Sequence, residues 1–403
     1  QALEAADAAL PAEGTGAARA EVLSNLSRAY MRTGRNAEAV AAAEGALALA
    51  EEFQLDRILA ETLNNKGSAM GHLGRPREGT ALLRAAVEIA HTGGHVAAEI
   101  RALSNLATNL DDAREARDSY RRATDLAARV GNRALGRWAS VALRFQSFLL
   151  AEDWDEAIRP APGPFETDEP GSPLDEIREL ATRAFFLVAR GDPTDDIVRR
   201  MEELSGAASD TYVASALLYL RSDRALIARD FATSVALALE AADTDDQLEF
   251  IYAFLALRPA LWMRDVEQAR AICARLVAHP YRGASANRNR QVARAGLAAL
   301  EGRRDEAIEG YRAAQAAMAS SGDVSGAALA TLDMITLLGP DLPGAREAAA
   351  EARAIFERVG ARPYLAFLDA AMAGATEGRR KAAGGAEAGA AEAAGRPALE
   401  ARS

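Results

Sequence analysis

The chain has 403 residues, a net charge of −11, 49% hydrophobic residues, only 5% aromatics and a single cysteine. The acidic balance argues against a general nucleic-acid binder, because it repels phosphate backbones. One cysteine, Cys273, excludes an internal disulfide and any cysteine-cluster metal site, and reads as a small buried hydrophobe on a helix. No apolar run approaches the ~18 residues that span a bilayer. No signal peptide is visible, and a cytoplasmic location is expected.

The elements repeat. Leu23-Ser24-Asn25-Leu26 recurs as Leu103-Ser104-Asn105-Leu106, with Leu63-Asn64-Asn65-Lys66 midway, so 63 − 23 and 103 − 63 both equal 40. The same period lays Ala29 on Ala69, Gly34 on Gly74, Glu38 on Glu78, Ala46 on Ala86 and Ala50 on Ala90. Apolar positions at helical spacing predict helices over 17–33 and 36–53, with Gly34 as a left-handed cap between them. The pair recurs at 56–73 with 76–91 and at 95–110 with 112–130, where Asp111-Asp112 replaces the glycine-centred turn. Later pairs drift: 133–158, 173–205, 208–242, 246–279, 286–320 and 324–359, with a short closing helix near 361–373. Gly302-Arg303-Arg304-Asp305-Glu306-Ala307 restates the turn Gly34-Arg35-Asn36-Ala37-Glu38-Ala39.

A helix pair repeated at this period cannot bury its apolar face alone, so the units stack into one continuous core. The expected fold is an all-α, right-handed solenoid of about nine helix pairs. Alanine and leucine carry the core, which suits closely approaching helices. Residues 1–160 form the first set of repeats. Residues 161–173 fall in a segment with five prolines between 160 and 173, read as a loop or hinge. Residues 174–373 form the second set, and 374–403 an Ala/Gly/Glu tail too poor in large apolar side chains to order. Residues 1–10 fall on the second helix of a preceding repeat, so the chain is expected to be part of a longer polypeptide.

The units resemble the tetratricopeptide repeat in a long, ~40-residue form. The family pattern Leu-Gly-x-x-Tyr then Ala-x-x-x-Phe is matched by Leu26-Ser27 with Tyr30, then Ala39 with Ala43. In the second unit it is Lys66-Gly67 with Met70, then Gly79 with Leu83; in the third, Leu106-Ala107 with Leu110, then Ala116 with Tyr120. Ala307 with Tyr311 matches the second half of the pattern. Residues 352–365 are similar to the last repeat of large bacterial signalling proteins that join a class III nucleotide cyclase or a DNA-binding domain to an AAA-type ATPase and a repeat tail. Neither catalytic domain is present, so the resemblance implies a regulatory, protein-binding part and no enzyme. A free-standing adaptor is one alternative, and a small-molecule sensor with a pocket near the 160–173 break is another.

Chemistry is otherwise sparse. A phosphate loop is absent, and the only lysines are Lys66 and Lys381. His91 and His95 have helical metal-pair spacing, but Gly93-Gly94 breaks the helix between them. Asp243, Asp245 and Asp246 sit in a predicted turn and read as helix caps. Trp138, Trp154 and Trp262 read as packing residues. No cofactor or metal is expected. The resemblance places the first helix of each pair along a concave groove that takes a protein or extended peptide, possibly from the same polypeptide. There Asn25, Asn65 and Asn105 share one phase and form the expected peptide-backbone ladder, an amide offering donor and acceptor alike. Arg28, Arg32, Ser68, His72 and Thr108 lie one or two turns along the same face, as expected readers of side chains or a terminal carboxylate.

Overall fold

In the computed structural model, residues 15–160, 173–205 and 211–373 are described, with Ala5 as an isolated position. The opening residues, most of the proline segment and the tail at 374–403 lie outside this set, so the expectations made for them do too. Every regular element among the described residues is a helix. The first three pairs are α1 (Gly16–Arg32) with α2 (Asn36–Glu52), α3 (Asp56–His72) with α4 (Pro76–Thr92), and α5 (Val96–Asn109) with α6 (Ala113–Arg129). Next come α7 (Arg133–Leu150) with the short α8 (Trp154–Ile158), α9 (Pro173–Arg190) with α10 (Asp195–Ser205), and α11 (Thr211–Ile227) with α12 (Phe231–Thr244). The last three are α13 (Glu249–Trp262) with α14 (Val266–Ala278), α15 (Ala284–Leu300) with α16 (Arg304–Ser320), and α17 (Val324–Leu338) with α18 (Ala345–Val359), followed by helix over 362–373. The fold is an all-α repeat solenoid of nine pairs.

Small residues set the crossings inside each pair. Ala39, Ala43 and Ala46 are fully buried between α1 and its partners. Ser27 Oγ donates to the Ala39 carbonyl at 2.8 Å, and Ser222 Oγ repeats this contact to the Ser234 carbonyl at 2.8 Å, again twelve residues on. In the second pair the equivalent positions are Gly67 and Gly79, and the two backbones touch. A Cβ on Gly79 would sit 2.5 Å from the Gly67 carbonyl oxygen. Gly79→Ala should therefore force α3 and α4 apart, at a cost of about 1–3 kcal/mol. The urea midpoint checks this, and an unchanged midpoint would refute the close crossing. Helix starts are held by side-chain caps where the sequence supplies Asp or Asn: Asp112 accepts from the Arg114 and Glu115 amides, and Asp230, Asp265 and Asp323 cap α12, α14 and α17.

The solenoid closes on itself, and the two sets of repeats separated in the sequence pack as one body. Turns inside the early pairs stack on turns between the late ones. Gln247 Nε2 donates to the Arg32 carbonyl at 3.4 Å, and Arg282 lies against Gly74. The Ala113 amide donates to the Ser321 carbonyl at 2.9 Å, Ser325 Oγ to the Phe148 carbonyl at 2.5 Å, and Arg358 Nε to the Ala151 carbonyl at 3.1 Å. Arg362 pairs with Asp192 at 2.6 Å. Toward its last rungs the seam turns apolar: Trp154 and Phe186 share a core with Leu332, Phe356 and Leu368.

Candidate functional site: the inner face of the first three pairs

The inner face is built by α1, α3 and α5, whose sequences keep the 40-residue phase. One rung is ionic. Arg57 bridges Glu21 at 3.1 Å and Glu61 at 3.3 Å, and Arg101 holds Glu61 at 2.6 Å. This rung was legible too, since Glu21, Glu61 and Arg101 stand 40 residues apart, one turn before the asparagines.

The asparagine column forms the next rung, and its partners are inside the protein. Asn65 is 4% exposed; its Nδ2 donates to the Ser24 carbonyl at 3.1 Å, and its Oδ1 accepts from Asn64 Nδ2 at 3.4 Å. Asn105 Nδ2 donates to Asn64 Oδ1 at 2.9 Å. The amides thus tie α1 to α3 and α3 to α5, with Asn64 as the residue that column alignment alone did not single out. Asn65 has neither the exposure nor the free groups to hold a partner's backbone, which corrects the expectation made for it. Asn25 differs, because it is exposed on the first described helix.

The remaining readers divide in the same way. Ser68 is buried and its hydroxyl bonds back to the Asn64 carbonyl at 3.0 Å. Thr108 gives its hydroxyl to Tyr120 at 2.7 Å and the Ser104 carbonyl at 3.1 Å, so it is tied into the helix pair. Neither hydroxyl is available to a ligand. Arg28 is half-buried and forms no ion pair or hydrogen bond among the described residues. Its pKa is lowered by burial first, then by the nearby Arg101 and Arg32 guanidinium groups, while Glu61 opposes the shift. Arg32 is exposed at the end of α1, next to the seam rung made by Gln247. His72 keeps solvent contact, yet burial lowers its pKa, as expected for a side chain within a concavity. The structure thus gathers Asn25, Arg28, Arg32 and His72 at the cationic end of an internally braced groove.

The other candidates resolve as packing and capping groups. His91 lies 3.1 Å from Glu99 and shares it with Arg122. Asp243 pairs with Arg275 at 2.8 Å, and Asp245 accepts from the Gln247 amide at 3.0 Å. Cys273 is buried, which raises its thiol pKa. No group of metal-binding side chains occurs among the described residues, and none of their helices is long and apolar enough to cross a membrane.

Comparison with known proteins agrees with this architecture at its start. The family model described as Tetratricopeptide repeat matches residues 20–53, which hold α1 and α2, so the chain carries a tetratricopeptide repeat there. Among solved structures the chain is similar to that titled "Crystal Structure of the Yeast Tom70". The identity is 13% and the TM-score 0.35, over 84% of this chain and 77% of that one. No curated protein matches.

Proposed function

We propose that the chain is a protein-binding repeat scaffold whose first three pairs take an acidic, extended peptide segment in the inner groove. The observation that carries this reading is Arg28, a partly desolvated guanidinium in the groove without a carboxylate of its own. A guanidinium gains most from a planar carboxylate that accepts two parallel bonds. Arg32 adds a second charge and Asn25 a free amide on the same helix. The asparagine and ionic rungs keep the three helices in fixed register, so the groove is preorganised and binding costs less ordering. The tetratricopeptide repeat at 20–53 supports the protein-binding class. The resemblance of 352–365 to bacterial cyclase–ATPase and regulator tails supports a cytoplasmic regulatory role within a larger signalling polypeptide, with no enzymatic activity in this chain.

The test is fluorescence anisotropy with a labelled Asp/Glu-rich peptide and a Gln/Asn-substituted control. The acidic peptide should bind more tightly, and more weakly as salt rises. Arg28→Glu with Arg32→Glu should cost about 1.5–3 kcal/mol per lost charge-assisted contact, which is a loss of at least roughly tenfold. Equal binding of the two peptides, or an unaffected double variant, would refute the assignment.

A further inference from the structure

A second inner site stands apart from the groove and does not depend on the reading given to it. Where α11, α13, α17 and the 362–373 helix converge, the side chains exceed what packing needs. Asp223 on α11 keeps some accessible surface, yet burial pushes its carboxyl up to about 7. A side chain that is at once accessible and desolvated lies at the bottom of a recess.

Asp223 forms no ion pair among the described residues. The nearby guanidinium, Arg258 of α13, gives Nε and Nη2 to the two oxygens of Asp333 at 2.9 and 3.1 Å, and the Trp262 indole N–H donates to that carboxylate at 3.0 Å. The Tyr219 hydroxyl faces Asp223 from one turn earlier, and Tyr364 of the closing helix lies within its field. The Tyr364 hydroxyl has no hydrogen-bond partner among the described residues. An aromatic wall leads away from the carboxyl. Tyr219 stands 6.3 Å from Phe185, which stands 4.5 Å from Phe148, and all three rings are partly accessible.

We propose that this recess binds a small organic cation, its ammonium group seated on Asp223 and its apolar body laid along Tyr219 and Phe185. An ammonium carries three donors and no acceptor. The Asp223 carboxylate and the Tyr364 hydroxyl oxygen accept from it, and ring faces favour a cation placed over them. The ligand supplies the counter-charge that Asp223 lacks. An anion would meet Asp223 and Asp333, and a neutral molecule would leave the carboxylate uncompensated. The ionisable groups facing Asp223 are Tyr219 on its own helix, Arg258 on α13, Asp333 on α17 and Tyr364 on the closing helix. Both tyrosines are pushed above their usual range, chiefly by burial, and Arg258 stays charged.

The experiment is a thermal-shift series on the full chain with phenethylammonium, 2-phenylethanol and 3-phenylpropionate at millimolar concentration. At about pH 8, where Asp223 is ionised, phenethylammonium should raise Tm, and the alcohol and the carboxylate should not. The amine stays charged across neutrality, so the shift should fade as pH falls through about 7 and Asp223 takes up its proton. Asp223→Asn should abolish it. An equal shift with the alcohol, a shift that persists below about pH 5, a shift retained by Asp223→Asn, or none in the wild type would overturn the proposal. The wild-type selectivity and its pH course decide the matter even if the variant folds poorly.

Discussion

Asp333→Ala is expected to destabilise the second half by about 3–5 kcal/mol, the range for removing one partner of a buried ion pair. Asp333 is 2% exposed and takes three donors, two from Arg258 and one from the Trp262 indole. Burial alone would lower the Arg258 pKa, but the Asp333 charge and hydrogen bonds more than offset it, and the net shift is upward. Without Asp333 the guanidinium keeps its charge and loses its counter-ion. Tyr311, already buried with its hydroxyl unpartnered, offers no acceptor positioned to replace it. Tryptophan fluorescence in a urea series reads the effect. The double replacement Arg258→Met with Asp333→Leu should recover most of the loss, because desolvating the pair costs about as much as the pair returns. A near-neutral Asp333→Ala would contradict the geometry.

Asp223→Asn is expected to stabilise the protein, and only above mildly acidic pH. The folded carboxyl is raised from 3.8 to about 7 by burial, against smaller opposing contributions from Tyr219 and Arg258. A raised acid favours the protonated form in the folded state. The native state therefore loses stability as pH climbs from about 4 to about 7, and the loss is complete above that window. A three-unit shift would correspond to about 4 kcal/mol. Water reaching the recess reduces this, so a gain of about 1–3 kcal/mol at about pH 8 is expected, with no difference at about pH 4. Urea titrations of both proteins at the two pH values measure it. A variant less stable at both would refute the buried, cation-free placement of Asp223. A group that costs stability where it sits is one mark of a functional position.

The early helices were legible because each level of the sequence agrees there. The expected 17–33, 36–53 and 56–73 match α1, α2 and α3 to within a residue at each end. The period, the Gly34 and Gly74 turns and the alanine crossings all point the same way. The groove was half legible. Phase placed Asn65 and Asn105 on the inner face correctly, but it does not show that Asn64, one residue off the column, accepts from Asn105 and donates to Asn65. A two-residue insertion of chemistry between columns leaves no periodic trace. The closure was not legible at all. Its rungs run through backbone groups at Ala113, Ser321, Phe148 and Ala151, which any residue could supply, across separations of up to about 200 residues. The Asp223 recess escaped for a related reason: its walls come from α9, α11, α13 and the closing helix, where the repeat has drifted.

Closure brings α1 and α3 against the late turns, and both inner sites depend on it. The most direct measurement is a cross-link across the weakest, most polar rung. Cysteines replacing Thr33 and Gln247, in a Cys273→Ser background, lie at exposed positions on either side of the Gln247–Arg32 contact. Helices in an open array are spaced about 8–10 Å apart, so these residues, five pairs removed, would be several tens of ångströms apart along it. A short bismaleimide should join them within one chain, rapidly and independently of protein concentration. Full labelling of both cysteines by a monofunctional maleimide, with no intramolecular cross-link, would show an open solenoid and contradict the account.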